Sequence, residues 1–324
     1  MRFVAFEKGC EPQQLSIQHM TPKEPEAHQV GIDVKAFGVN RADTLQRQGK
    51  YPPPPGESEV LGLEVAGVVD NVGSAVTGWK VGDRVFGLVA GGGYAEHVCV
   101  DSRHIMRIPD SVSFADAAGI AEIFITAYQS LFAIGDVKSG QSVLLHAGAS
   151  GVSLAAIQLA RTRQCRIAVT ASSSEKLALC SSLGATELID YRRHDFADAL
   201  KEASFGADFI LDYVAGDYLN RNLKVLNQDG KIVCLAMLSG RFADNLDMAL
   251  LLGKRATIQG STLRNRTDDY KARLFTAFSA EFLPLFDSGE LKPVTDTVMP
   301  AEEVGVAHLR LENNQSKGKL ICTW

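Results

Sequence analysis

SVLLHAGASGVSLAAIQLAR, residues Ser142 to Arg161, decides how this chain is read. A short apolar strand runs into a Gly/Ser-rich turn and then into a helix with an apolar face. That order suits a dinucleotide, because a turn of small residues lets backbone N–H groups and a helix N-terminus approach a pyrophosphate. Set against G-x-G-x-x-G, Gly148 keeps the first glycine, Ser150 and Ser153 hold the other two positions, and Gly151 is additional. A tight strand–helix connection without a ligand needs the same small residues, so the surroundings must decide.

Outward from that turn, strand and helix alternate. Strands are expected at SVLLHA, RIAVTA, ELIDY, DFILDYV, KIVCLAML and ATIQGS. Helices are expected between them, around 155–161, 175–183, 195–202 and 219–226. Six strands with intervening helices make a doubly wound parallel sheet, with any ligand at the strand C-termini. The first 110 residues or so are β-rich instead: VGIDVKAFGV, VAGVVDNVG and DRVFGLV cluster β-branched residues between Gly, Asp and Asn turns. Pro52 to Pro55 exclude helix and central strand, making a stiff surface loop beside Tyr51. FADAAGIAEIFITAYQSLF is expected to be helical. After Arg264 come a helix near 271–286, the strand-like KPVTDTVMP, a helix at 301–312 and GKLICTW. The nucleotide domain, 121–264, is thus inserted between two pieces of another domain, 1–120 and 265–324.

Composition sets the class. At 324 residues two domains are the natural expectation. A net charge of -5 gives no electrostatic reason to expect nucleic acid as the main partner. MRFVAFEKGC contains no apolar h-region, so no secretory signal is expected, and no run is expected to reach the roughly 20 apolar residues of a membrane span. Cys10, Cys99, Cys165, Cys180, Cys234 and Cys322 show no C-x-x-C spacing and are expected as reduced thiols of a cytoplasmic protein.

GVNRAD (38–43), GKYPPPPG (49–56), LGLEVAGVV (61–69) and GDRVFGL (82–88), with AGASGVSLAAIQLA and the LGA of 183–185, resemble the medium-chain dehydrogenase/reductase family over nearly the whole chain. The branch they look like is the zinc-free quinone oxidoreductases, the zeta-crystallin-like enzymes. The resemblance implies an α/β architecture: a GroES-like partial β-barrel domain plus an inserted Rossmann doubly wound parallel sheet, with the active site in the cleft between them. It also implies a homodimer, formed through the edge strand of the Rossmann sheet. Zinc-dependent alcohol dehydrogenases of the family place Cys in the segment matching GVNRAD and His in the segment matching GLE. Here Asn40 and Leu63 stand there, neither suited to catalytic zinc, and the cysteine-rich structural-zinc lobe is missing. No metal is expected. An acceptor that takes hydride without metal polarisation then fits, a quinone or a conjugated enone or enal. Glu64 reads as a structural carboxylate, with a catalytic role as the alternative.

NADPH is the expected cofactor. NAD-preferring sites carry an acid after the second strand, whereas this chain has Ser172, Ser173 and Lys176, candidates for a 2′-phosphate. A Ser-rich helix cap is the plainer alternative, and Glu175 is expected in the first helical turn. The resemblance adds Tyr191 beside the adenosine end, Thr126 at the nicotinamide ribose or phosphates, and the turn residues Gly148, Ser150, Gly151 and Val152. It also implies Ala236 and Met237 at the nicotinamide, Ser261, Leu263 and Arg264 after the sixth strand, and Lys317 near the cofactor. Tyr51 and Asn40 are the expected catalytic residues, as hydrogen-bond donors to the acceptor or the cofactor, with a surface aromatic and a turn-supporting Asn as alternatives. Ser153 departs from the family's GVG and is expected to weaken cofactor binding or displace the helix slightly. It keeps a second function open, a catalytically quiet NADPH-binding protein with a structural or regulatory role. A serine hydrolase is excluded because Val152 stands where G-x-S-x-G needs glycine.

Overall fold

The computed structural model describes all 324 residues. In chain order the strands are β1 (Arg2–Ala5), β2 (Ser16–His19), β3 (Gln29–Val39), β4 (Glu64–Val72), β5 (Arg84–Leu88), β6 (His97–Asp101) and β7 (Ile105–Arg107). Then follow β8 (Ser142–Leu145), β9 (Arg166–Ala171), β10 (Glu187–Asp190), β11 (Ala207–Asp212), β12 (Leu226–Cys234) and β13 (Thr257–Gly260), and finally β14 (Thr295–Pro300) and β15 (Lys319–Thr323). The chain forms two compact units, Met1–Ile125 with Leu263–Trp324, and Thr126–Thr262.

The first unit is built on a seven-stranded sheet of order β14-β15-β3-β4-β5-β7, with β6 also paired to β3. Strand β3 is its spine, because it pairs antiparallel with β4, β6 and β15. Its apolar residues Val30, Ile32, Val34, Phe37 and Val39 pack with Val65, Val69, Val85, Val98 and Leu320 in one core. Gly38 in β3 has a packing reason to be glycine. A Cβ there would lie 2.4 Å from Glu64 Oε1 and 2.5 Å from the Ala118 carbonyl, so the missing side chain makes room for a buried carboxylate.

The second unit is a six-stranded parallel sheet of order β10-β9-β8-β11-β12-β13, the 3-2-1-4-5-6 order of a dinucleotide-binding sheet. The strands follow the expected segments closely, since each is a short apolar run closed by turn residues. Helices at Gly151–Thr162, Ser174–Leu183, Phe196–Glu202 and Tyr218–Val225 connect them, with a further helix at Met248–Lys254 that was not expected. That last helix packs only Leu250 and Leu251, partly buried, on the core and leaves Met248 and Leu252 exposed, so its apolar residues do not sort onto one buried face.

Three expectations are corrected. The joints fall at 125/126 and 262/263, not at 120/121 and 264/265. The start of the helix Ala121–Tyr128 packs into the first unit, where Phe124 meets Phe278 and Phe286, and Arg264 bonds the Ala90 carbonyl there. The segment Phe114–Ile134 is long and apolar enough to cross a membrane, against the expectation of no such run, although most of it is buried in the protein. The helix expected near 271–286 is two, Asp268–Phe282 and Pro284–Asp287, because Pro284 supplies no N–H to continue the ladder.

Candidate active site

In the parallel unit the sites expected from sequence gather past the C-terminal ends of the strands, where such sheets hold ligands. Gly148 follows β8, and its N–H donates to the Thr170 carbonyl at 2.8 Å. A Cβ on Gly148 would lie 2.9 Å from Val169 Cβ and 3.0 Å from Cys180 Sγ. Glycine is required here to let the turn lie against the second strand and its helix. Ser150 caps the helix that begins at Gly151 and Val152, its Oγ accepting from the Ser153 N–H. The N-terminus of this 12-residue helix is thereby capped, which leaves its remaining first-turn N–H groups without an intrahelical partner.

Ser153 does not disturb this turn. It is fully buried, donates to the His146 carbonyl at 2.8 Å and lies 3.2 Å from the Tyr213 hydroxyl. A hydrogen bond thus fills the place where glycine would give bare contact. His146 beneath it is a satisfied core histidine, with Thr170 Oγ1 at 3.0 Å from Nδ1 and Asn222 Oδ1 at 2.8 Å from Nε2. Burial holds it below the ordinary histidine range, so it stays neutral. Asn222 in turn donates to Asp212, whose other oxygen accepts the Val214 and Ala215 N–H groups. This chain of bonds fixes the ends of β8 and β11, and its members carry no signal in the sequence beyond being polar residues in apolar strands.

Ser172 and Ser173 follow β9. Ser173 is a helix cap, accepting the Lys176 N–H at 3.3 Å, and Glu175 occupies the first turn as expected. Tyr191 follows β10, is exposed, and donates its N–H to the Ala171 carbonyl, so it adjoins the end of the second strand. Ala236 and Met237 are exposed after β12. Ser261 follows β13, its N–H on the Cys234 carbonyl. Two hydroxyls here speak directly to a ligand: Thr126 Oγ1 and Ser261 Oγ are buried without any hydrogen-bond partner. Buried orphan hydroxyls are costly unless something pairs with them. These donors, with the capped helix and the small-residue turn, fit a dinucleotide.

In the first unit the positions of Asn40 and Glu64 form a closed cluster. Lys319 is buried and places Nζ 2.5 Å from Glu64 Oε1, 2.8 Å from Asn40 Oδ1 and 3.0 Å from the Val39 carbonyl. Asn40 Nδ2 donates to Glu64 Oε1 at 3.0 Å, and the Glu122 N–H donates to Oε2 at 2.9 Å. The Asn40 amide therefore serves the cluster; its expected role as a donor to substrate or cofactor is corrected to one of positioning. Glu64 accepts from Lys319, Asn40 and the Glu122 N–H within this cluster. Beside it, Asp43 accepts from the Asn40 N–H and the Tyr94 hydroxyl, and burial pushes its carboxyl up to about 6.

Leu63 is buried, and Tyr51 is half-buried in the proline-rich loop. The Arg264 guanidinium lies 5.5 Å from the Tyr51 ring centroid. Burial raises the Tyr51 phenol above its ordinary value, aided by Glu122 and opposed by Arg264. Leu263 and Arg264 are both buried in this unit, not in the nucleotide unit where sequence order put them. Lys317 is half-buried near the C-terminus, its N–H on Asp296 Oδ2. Glu122 and Lys319 were missed as site residues. The available signal for Glu122 was a lone acid in an otherwise apolar stretch, AAGIAEIFITAY.

Comparison with known proteins agrees with this geometry. A zinc-binding dehydrogenase model matches residues 151–280, and an alcohol dehydrogenase GroES-like domain model matches 26–110. The chain is 33% identical over 328 residues to the human synaptic vesicle membrane protein VAT-1 homolog, covering 97% of this chain and 83% of that one. It is 31% identical over 326 residues to quinone oxidoreductase of Lama guanicoe, covering 99% and 97%. The structure of Escherichia coli quinone oxidoreductase complexed with NADPH superposes with a TM-score of 0.88 at 28% identity, covering both chains completely. A GroES-like unit with an inserted NAD(P)-binding parallel sheet, in a chain this similar to such relatives, is an oxidoreductase: the protein belongs to the medium-chain dehydrogenase/reductase family, in its quinone-oxidoreductase branch.

Proposed function

We propose that the protein is a zinc-independent, NADPH-dependent reductase of quinones and of conjugated enones or enals. The observation that carries this reading is the cluster of Lys319, Glu64 and Asn40. Where zinc-dependent relatives need a Cys and a His, this chain has Asn40 and Leu63, and the neighbouring carboxylate is already neutralised by a buried lysine. No three His, Cys, Asp or Glu side chains are grouped so as to hold a metal ion. An acceptor whose conjugation spreads the incoming charge suits such a site.

A bound dinucleotide would supply the hydride. The chain's own residues are proposed to bind and orient it: the helix N-terminus at Gly151 would take phosphate, Thr126 and Ser261 offer unpaired hydroxyls, and Ser172, Ser173, Lys176 and Tyr191, which follow β9 and β10, would take a 2′-phosphate. No carboxylate stands at the end of β9 to repel that phosphate, the nearest downstream acid, Glu175, lying in the first turn of the next helix. Ser153, which favoured a catalytically quiet binder, is accommodated by its own hydrogen bonds, and that alternative loses its support. We place the protein in the cytoplasm, on the ground that all six cysteines are free thiols. A second copy is proposed to pair along the edge strand β13, near which Met248 and Leu252 are exposed.

Stopped-flow oxidation of NADPH and NADH with 1,2-naphthoquinone, 1,4-benzoquinone and an alkenal tests the reading. Turnover is expected, with NADPH preferred by more than about tenfold. Lys176→Glu is expected to remove most of that preference by weakening NADPH alone. Tight NADPH binding without turnover of any acceptor would contradict the proposal.

A further inference from the structure

Two groups in a cavity of the first unit are used neither by the Lys319 cluster nor by the dinucleotide contacts. Arg264 is 6% exposed, and its Nε donates to the Ala90 carbonyl at 2.7 Å. Its two terminal nitrogens have no hydrogen-bond partner. A buried cation with unpaired N–H groups is costly, and the guanidinium fork is shaped for planar oxygen ligands. The Tyr51 ring, 5.5 Å away, holds its flat face in place.

The second group is Glu122, which lines the same cavity with Leu63, Val89 and Arg264. Its backbone N–H is committed to Glu64, but its carboxyl makes no ion pair. Lys319, the nearby cation, is taken up by Glu64, Asn40 and the Val39 carbonyl. The charged and titratable groups facing Glu122 are Glu64 on β4, Lys319 on β15, Asp43 on the helix Arg41–Arg47, Arg264, and Tyr51 on its loop. Burial and the charge of Glu64 push the Glu122 carboxyl up to about 8. Glu122 therefore holds a proton at neutral pH.

We propose that Arg264 and Glu122 form the acceptor site of this metal-free reductase, Arg264 binding the reducible carbonyl oxygen and Glu122 delivering a proton to it. The inference rests on the reductase reading. The acceptor gains a hydride, hence two electrons, from the reduced dinucleotide, and an electron pair moves onto its oxygen. The O–H bond of Glu122 breaks as an O–H bond forms on the acceptor. The Glu122 carboxylate then regains its proton from water. Arg264 stabilises the charge that gathers on that oxygen, which is the task a metal performs elsewhere.

The probe is 4-nitrophenol, whose ionised oxygen imitates the developing oxyanion, titrated by absorbance into the protein with oxidised dinucleotide bound. Arg264→Met is expected to weaken nitrophenolate binding at least about tenfold while dinucleotide affinity changes less than about twofold; Arg264→Lys, which keeps the charge, recovers part of it. Glu122→Gln keeps nitrophenolate binding near pH 6, loses the weakening the native protein shows above about pH 8, and lowers kcat roughly 100-fold. Unchanged nitrophenolate affinity in Arg264→Met overturns the proposal. So does an equal loss of dinucleotide affinity, because Arg264 would then hold the dinucleotide. A Glu122→Gln variant with native rate and native pH profile also overturns it. Arg264-dependent nitrophenolate binding without turnover of any quinone or enone would uphold the site and sink the reductase reading, and turnover without that binding would do the reverse.

Discussion

Replacing Lys319 by methionine is expected to destabilise the barrel-type unit by about 4 kcal/mol. The side chain is 4% exposed and its partner Glu64 is fully buried, so neither charge has water to fall back on. The substitution leaves Glu64 with two neutral donors, Asn40 Nδ2 at 3.0 Å and the Glu122 N–H at 2.9 Å. Breaking one side of such a buried pair costs about 3–5 kcal/mol, because the surviving charge is uncompensated. The Val39 carbonyl and Asn40 Oδ1 also lose their donor, which favours the middle to upper part of that range. Urea unfolding followed by tryptophan fluorescence reads this unit alone, since Trp79 and Trp324 are the only tryptophans and both lie in it. Adding Glu64→Gln removes the stranded charge and is expected to recover more than half of the loss. A loss below about 1 kcal/mol, the worth of an exposed pair, would refute the reasoning. A double variant no more stable than the single would do so equally.

Two further outcomes follow from buried groups. His308 lies with Nε2 3.0 Å from the Tyr94 hydroxyl, and burial, with Arg47 nearby, lowers it to about 3. Between pH 6.5 and that value the unfolded chain binds the extra proton and the folded one does not, so stability is lost as pH falls; His308→Gln is expected to abolish roughly 3 kcal/mol of the decline between pH 7 and about pH 4 in urea titrations, and an unchanged decline counts against it. Ser153→Ala removes the bond to the His146 carbonyl and is expected to lower amide hydrogen-exchange protection of the helix Gly151–Thr162 by about 1 kcal/mol; native-like protection would show that the hydroxyl contributes nothing.

The parallel sheet was legible because each strand is a short apolar run closed by small or polar residues, and the ligand edge follows from strand direction alone. Gly148 and Ser150 could be expected at that edge by this logic, whereas Thr126 was suggested by the family resemblance alone. Arg264 could not be placed, because it follows the sixth strand in sequence while the chain returns to the other unit at Leu263. Asn40 was read as a free donor because its partners, Glu64 and Lys319, lie 24 and 279 residues away. Glu122 escaped notice for a related reason. An acid in an apolar helix shows its purpose only when the neighbouring carboxylate and the committed lysine are seen together. The Met248–Lys254 helix was missed because it is one short apolar run, partly buried at Leu250 and Leu251 and exposed at Met248 and Leu252, with no polar face to mark a helical period.

The central claim, reduction without a metal, is tested most directly by turnover of 1,2-naphthoquinone with NADPH after exhaustive chelation, with residual zinc quantified in the same sample. The account predicts a rate unchanged by chelation and unaffected by added zinc. Activity that disappears with the metal and returns with it would contradict the account.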